Sequence, residues 1–268
     1  MSATTVERAP RLGLGAAIHH ARVIARRNLI RIKSDPEQLT GATVQPLMFL
    51  TLFVFVFGGA IAGPAGWRGY LQFALPGILI QGISFQGFST ALGLNNDFDH
   101  GLIDRFRSLP IARSSVVAGR ILADSVLILW GIAVIVGFGM VLGFRFQGGL
   151  AGAAGSILLV WAWGMTVCWP LGFIGIAAKT PQAVNTTAFM IILPITFASS
   201  VFVPAESMPG VLETFANVNP ITKVAEAARG LMLGGPVAEH LIPAILWMVG
   251  IIGVFAPLAV WRYRKRAI

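Results

Sequence analysis

Residues 121–143 read ILADSVLILWGIAVIVGFGMVLG and contain a single ionisable side chain, Asp124, near their start. A helix needs about 20 residues to cross a hydrocarbon core that is about 30 Å thick. Lipid offers backbone N–H and C=O groups no hydrogen-bond partner, so a spanning segment must close its own hydrogen bonds as a helix. This stretch therefore predicts a membrane helix, and it decides the fold class.

Five further apolar stretches have comparable lengths. They cover residues 43–62, 71–94, 152–178, 184–204 and 241–261. Only 12% of the residues are charged, against roughly 25% in soluble domains. With 56% hydrophobic residues and one cysteine, the composition excludes a disordered chain and a disulfide scaffold. The sequence predicts an all-α polytopic membrane protein with six transmembrane helices, and residues 1–268 form a single transmembrane domain.

Basic residues predict the orientation of these spans. Sixteen of the twenty Lys and Arg residues fall in the N-terminal segment, after spans 2 and 4, and in the C-terminal tail. An excess of this kind marks the cytoplasmic side, so both termini are expected inside a plasma membrane. The net charge is +9, and the basic residues that produce it lie between long apolar runs and not on a polar domain. We therefore expect no nucleic-acid partner.

Three polar segments adjoin the spans. Residues 15–33 are predicted to form a basic amphipathic helix, which is typical of the headgroup plane and either anchors the chain or also contacts a cytoplasmic partner. Residues 95–120 combine charges of both signs with apolar positions at helical spacing, as in a helix that docks into a partner's groove; a solvated connector is the alternative. Residues 205–240 are expected either to dip into the outer leaflet as short re-entrant helices or to lie on its surface.

Neutral polar side chains lie within the predicted spans, where they either line a pathway or hydrogen-bond neighbouring helices. The candidates for a pathway are Gln81, Ser84, Phe85, Thr196, Ser199 and Ser200. Ion-driven carriers usually hold acidic or histidine side chains at the midplane. Asp124 near one end of its span is the sole candidate, which argues against such a carrier.

No catalytic or metal-binding pattern is visible in the sequence. The four histidines lack the spacing of a zinc site, and none of the four lysines follows a glycine, as a phosphate-binding P-loop requires. The sequence thus predicts no enzyme, and any ATP hydrolysis must come from another subunit.

Two stretches carry a family resemblance. Residues 101–124, GLIDRFRSLPIARSSVVAGRILAD, resemble the cytoplasmic loop of permease subunits of type-2 ABC exporters. Residues 197–231, FASSVFVPAESMPGVLETFANVNPITKVAEAARGL, resemble the end of span 5 and the external loop of the daunorubicin-resistance branch of that family. Both stretches occur in the expected order on opposite sides of a six-span layout.

The resemblance implies a half-transporter that pairs with a second, identical or related permease. It implies a cytoplasmic ABC ATPase that carries ATP and Mg, with no cofactor in this chain. The implied coupling helix, residues 102–110, includes Asp104, Arg105, Phe106, Arg107, Ser108, Leu109 and Pro110. The implied interface helix, residues 15–33, presents Arg22, Arg26, Arg27 and Arg31. The implied re-entrant segment, residues 205–240 with the preceding turn, includes Pro204, Pro209, Asn219 and Pro220.

Taken together, the sequence predicts a permease subunit of an ATP-driven exporter in the bacterial plasma membrane. The expected cargo is apolar or amphipathic: a drug, a lipid or a glycoconjugate. The alternatives are an ion-driven secondary transporter and a membrane adaptor that binds an ATPase without conducting any cargo.

Overall fold

The computed structural model describes residues 36–62, 66–99 and 113–266, and every regular element within these ranges is helical. The helices follow in the order α1 (Pro36–Thr51), a π-helical segment (Leu52–Phe57), α2 (Gly58–Ala62), α3 (Gly66–Asp99), α4 (Arg113–Leu142), α5 (Gly149–Ala177), α6 (Pro181–Phe197), a 3₁₀ turn (Ala205–Ser207), α7 (Gly210–Val218), α8 (Pro220–Leu233) and α9 (Ala238–Arg266). The predicted helical class is confirmed. Residues 15–33 and 102–110, which carry the predicted interface and coupling helices, lie outside the described ranges.

Four helical stretches in the described part of the chain are long and apolar enough to cross a membrane. They cover Leu39–Ile61, Val117–Leu142, Gly149–Ala177 and Ala238–Arg266. Helix α3 has 34 residues, but its glutamine, serine and asparagine side chains make it more polar. Helix α6 has 17 residues. The chain is therefore a polytopic membrane protein with four clear candidate spans.

Helix α3 lies at the centre of the bundle. It contacts α1, α4, α5, α6 and α8, and its most extensive contact is with α5. Leu75, Ile78 and Leu79 of α3 are fully buried, whereas α9 exposes most of its apolar side chains. A helix that packs against protein on all sides can carry neutral polar groups, because neighbouring helices supply hydrogen-bond partners that lipid does not.

Span 5 ends earlier than the predicted 184–204. Helix α6 stops at Phe197, and residues 198–204 form turns. The buried side-chain amide of Asn219 donates hydrogen bonds to the carbonyls of Ile195, at 2.6 Å, and Ala198, at 2.9 Å. Since these carbonyls lie in the last turn and just beyond it, the amide satisfies acceptors that a continuing helix would otherwise have paired.

Helices α7 and α8 follow this break as two amphipathic pieces. Pro220 occupies the first turn of α8, and Asn219 caps it by accepting a hydrogen bond from the N–H of Ile221 at 2.9 Å. Gly234 ends the helix in the left-handed conformation at φ +79°, which glycine adopts without a steric penalty. Asn219 thus stabilises the end of α6 and the start of α8 at once.

Replacing Asn219 with alanine is expected to lower the free energy of unfolding by roughly 2 kcal/mol, because one substitution removes a helix cap and leaves two carbonyls without a donor. The measurement is thermal unfolding in detergent, paired with limited proteolysis of residues 198–209. Asn217→Ala, at an exposed position two residues earlier, is the matched control. Equal unfolding of both variants would contradict the role of Asn219.

Candidate functional site

A buried ion pair joins three helices near the end of α3 that leads into residues 100–112. The Nε of Arg120 in α4 lies 3.0 Å from the Oδ2 of Asp124, and the two residues are 5% and 2% exposed. Arg120 also donates from Nη2 to the carbonyl of Ser89 in α3, at 3.0 Å. The hydroxyl of Thr90 donates to the same carboxylate oxygen and lies 3.2 Å from the Sγ of Cys168 in α5. We call these five residues the ion-pair cluster.

The ion-pair cluster depends on a close approach between α3 and α4. A Cβ atom at Gly93 would overlap the guanidinium of Arg120, so only glycine leaves space for this side chain against α3. Removing two charges from water is costly unless each finds a partner and further hydrogen bonds. Arg120 meets this requirement through Asp124 and the Ser89 carbonyl.

A second group of contacts joins α3, α5 and α9 at the same end of the bundle. Asn95 of α3 donates from Nδ2 to the carbonyls of Gly175, at 3.0 Å, and Ala178, at 2.9 Å. Arg266 of α9 donates from Nη1 to the same Ala178 carbonyl at 2.6 Å. The guanidinium of Arg266 also lies 4.5 Å from the ring centroid of Phe98. A cation at a helix C-terminus is favourable because the last carbonyls carry partial negative charge.

A buried arginine fixes α8 to the opposite end of α3. Arg229 donates from Nε to the carbonyl of Phe73 and from Nη2 to the carbonyl of Ser200, each at 2.9 Å, and its guanidinium lies 3.9 Å from the Phe73 ring centroid. Its Nη1 lies 2.6 Å from the Oε1 of Glu226. Burial lowers the pKa of Arg229, and the Glu226 carboxylate opposes this shift. Arg229 thus connects α8, the break after α6 and the central helix.

A cavity of about 200 Å³ lies between α1, α3 and α4. Gln81 and Phe85, two of the predicted pathway residues, line it. Its wall is mainly apolar, with Phe49 and Ile78 among the lining residues. The cavity is a space within the described part of the bundle in which a small organic molecule would contact three helices.

The remaining predicted pathway residues are buried, and all but Ser200 use their hydroxyl in a hydrogen bond within the described bundle. Ser84 donates to the carbonyl of Ile80 and accepts from the indole N–H of Trp163 at 2.8 Å. Thr196 and Ser199 donate to carbonyls of their own segment. The backbone N–H of Ser200 donates to Thr222. The structure does not bring these residues to the cavity, and their part in a pathway stays a prediction.

The predicted external residues lie around α7 and α8. Pro204 precedes the 3₁₀ turn, Pro209 precedes α7, and Asn219 and Pro220 form the corner between α7 and α8. The predicted coupling-helix residues and the four interface-helix arginines lie outside the described ranges. Among the described residues, no group of three His, Cys, Asp or Glu side chains is placed to hold a metal ion.

Sequence reasoning missed several residues that hold this site together. Arg120 and Asp124 stand four residues apart in opposite charge on one helix, and this spacing is a recognisable signal for a pair. The roles of Asn95 and Arg229 had no such signal, because their partners are remote in sequence.

Comparison with known proteins identifies the family. Residues 19–233 match the ABC-2 type transporter family. The chain belongs to this family. It is 35% identical over 240 residues to a daunorubicin resistance ABC transporter permease protein of Streptomyces coeruleorubidus, with 90% of this chain and 84% of the relative covered.

Two further relatives support this placement. A probable doxorubicin resistance ABC transporter permease protein of Mycobacterium tuberculosis is 31% identical over 250 residues, which cover 89% of this chain and 86% of the relative. An inner membrane transport permease of Escherichia coli is 24% identical over 182 residues, covering 66% and 47% of the two chains. This chain is therefore the membrane subunit of an ABC exporter. Membership of the ABC-2 type transporter family implies an ATPase partner.

Breaking the Arg120–Asp124 pair is expected to destabilise the fold strongly. Asp124→Leu leaves a buried guanidinium without its carboxylate, and the expected loss is roughly 3 kcal/mol of unfolding free energy. The double variant Arg120→Leu with Asp124→Leu should recover part of this loss, because no uncompensated charge remains. Thermal unfolding in detergent measures both, and the exposed Glu206→Gln is the control. If the loss of unfolding free energy in the double variant equalled the sum of the losses in the two single variants, the two side chains would not interact.

Proposed function

We propose that this chain exports apolar or amphipathic compounds as one of a pair of permeases, identical or related, driven by a cytoplasmic ATPase that binds ATP and Mg. The names of two relatives refer to daunorubicin and doxorubicin resistance, which supports a drug-like cargo. The largely apolar cavity between α1, α3 and α4 also supports this class of cargo. A lipid or a glycoconjugate shares the amphipathic chemistry.

The observation that carries the mechanism is the position of the ion-pair cluster. Residues 100–112 connect α3 to α4, and Arg120 lies seven residues after the start of α4, which is about 10 Å along a helix. Its bonds to Asp124 and to the Ser89 carbonyl join the two helices directly beyond this connection. A displacement of residues 100–112 would therefore move α3 and α4 together.

We place the ATPase contact on this connection. The coupling helix at 102–110 would present Arg105, Phe106 and Leu109 to a groove of the ATPase. When two ATPases close on ATP, the docked segments would shift and α3 would carry the shift to the centre of the bundle. The amphipathic segment 15–33 would lie in the cytoplasmic headgroup plane and touch the same partner.

Six transmembrane segments are part of the proposal. Helix α3 is long enough to span and packs against three of the candidate membrane spans, which supports its crossing despite its polarity. Helix α6, at 17 residues, would cross together with the turns at 198–204. Residues 205–240 would then form the re-entrant segment outside, with both termini inside the bacterial plasma membrane. The charge distribution of the loops supports this orientation.

Cysteine accessibility tests the topology. Cys168 is the sole cysteine, so Cys168→Ala gives a background for single additions. Ser207→Cys and Arg68→Cys are expected to react with an impermeant maleimide in intact cells. Lys179→Cys and Ser108→Cys should react only after permeabilisation. Labelling of positions 179 and 207 from the same side would contradict the crossing of α6, and labelling of 68 and 108 from the same side would contradict that of α3.

Alanine at Arg105, Phe106 and Leu109 is expected to reduce doxorubicin efflux at least tenfold and to weaken copurification of the ATPase, because the docking anchors are lost. The readouts are efflux from cells, pull-down of the ATPase and drug-stimulated ATP hydrolysis. Leu150→Ala with Val211→Ala, two exposed apolar positions elsewhere, is the control. Unchanged copurification would refute docking at 102–110. Drug flux without nucleotide would refute an ATP-driven exporter.

A further inference from the structure

The cavity between α1, α3 and α4 combines an apolar wall with two side-chain amides that have no partner. The amide N and O atoms of both Gln81 and Gln86 are buried, and none of the four has a hydrogen-bond partner among the described residues. Gln81 is 2% exposed. Both side chains line the cavity, together with Phe85 and Ser89 on the same face of α3.

Two unpartnered amides in a buried site are unusual. Buried polar side chains nearly always find hydrogen-bond partners, because an unmade bond costs the desolvation of the group. Each amide offers a donor and an acceptor. Of the other polar side chains on the cavity wall, Ser89 donates to the carbonyl of Gln86 on its own helix, and Gln45 of α1 is exposed. The amide atoms themselves are covered by the cavity wall, and a rotation of either glutamine side chain would bring them into contact with a molecule in the cavity.

The surrounding helices make space for this arrangement. A Cβ atom at Gly131 of α4 would overlap the amide nitrogen of Gln86, so the position of this side chain requires glycine there. On the other wall, Pro46 has no N–H to donate to the carbonyl of Ala42, and both residues line the cavity. The wall of α1 thus lacks an α-helical hydrogen bond at the cavity.

The lining also defines what the cavity accepts. None of the described residues that line it carries a charge, and the apolar part includes Phe49, Phe85 and Leu127. Ligand sites in proteins usually combine such apolar walls with a few placed polar groups. We infer that this cavity, within one protomer, binds an uncharged ring system bearing carbonyl or hydroxyl groups, which pair with the amides of Gln81 and Gln86. This inference rests on the proposed export of drug-like compounds.

The site would adjoin the coupling machinery. Ser89 lines the cavity, and its carbonyl accepts a hydrogen bond from Arg120 of the ion-pair cluster. A ring bound against Gln81, Gln86 and Ser89 would therefore touch the segment of α3 that α4 holds. Cargo would enter next to the helices that the ATPase moves.

Binding of doxorubicin and of its aglycone, which lacks the charged amino sugar, tests the inference. The full chain with its ATPase is placed in nanodiscs, and quenching of drug fluorescence gives both affinities. Gln81→Met and Gln86→Met are expected to weaken binding of both probes about tenfold each, as loss of a buried hydrogen bond predicts. Without ligand, both variants should be at least as heat-stable as the unchanged chain, because methionine removes an unpartnered amide. Gln147→Met, at an exposed glutamine, is the matched control.

Gly131→Ala gives an independent variant, because it displaces Gln86 without changing it and should also weaken both probes. Unchanged affinity of the glutamine variants, or no binding by the unsubstituted chain, would overturn the cavity inference. A glutamine variant that melts below the control would also overturn it, since the amides would then stabilise the bundle itself. Doxorubicin transport by the unsubstituted chain is measured in vesicles that contain the same lipids, permease and ATPase as the nanodiscs. Its failure with binding intact would reject the proposed function and not the cavity.

Discussion

The structure depends on one constraint: a backbone polar group inside a bilayer must find its partner within the protein. Long helices satisfy this constraint along their length, and the difficulty lies where a helix ends or breaks. Here side chains supply the missing donors. Asn219 bonds the carbonyls at the end of α6, Arg229 bonds those of Phe73 and Ser200, and Asn95 with Arg266 bonds the last carbonyls of α5.

These contacts give the central helix two fixed ends. Arg229 ties one end of α3 to α8 and to the break after α6. At the other end, the ion-pair cluster and Asn95 tie it to α4 and α5. Buried ion pairs contribute little net stability when compared with apolar packing, but they penalise any arrangement in which one partner is lost. A helix held in this way moves with its neighbours, which suits a subunit that receives its driving force from outside.

The cavity holds the largest group of buried polar atoms without a hydrogen-bond partner among the described residues. Ser84, Thr196 and Asn219 all have partners inside the protein, whereas Gln81 and Gln86 each leave an entire amide without one. A polar group left unpaired in the apolar interior is costly. The bundle tolerates this cost next to an open space, which is where a cargo molecule would compensate for it.

The sequence alone determined the helical class and most helix positions, because length, hydropathy and local breakers are properties of short segments. It also placed Gln81 and Phe85 on a candidate pathway. The early end of α6, the burial of Arg229 and the convergence on the cavity were decided by the tertiary structure. Arg229 and Phe73 are 156 residues apart, and Tyr70 donates to the Phe202 carbonyl across 132 residues. Neutral polar side chains have many possible partners in a helix bundle, and only the packing of distant helices selects among them.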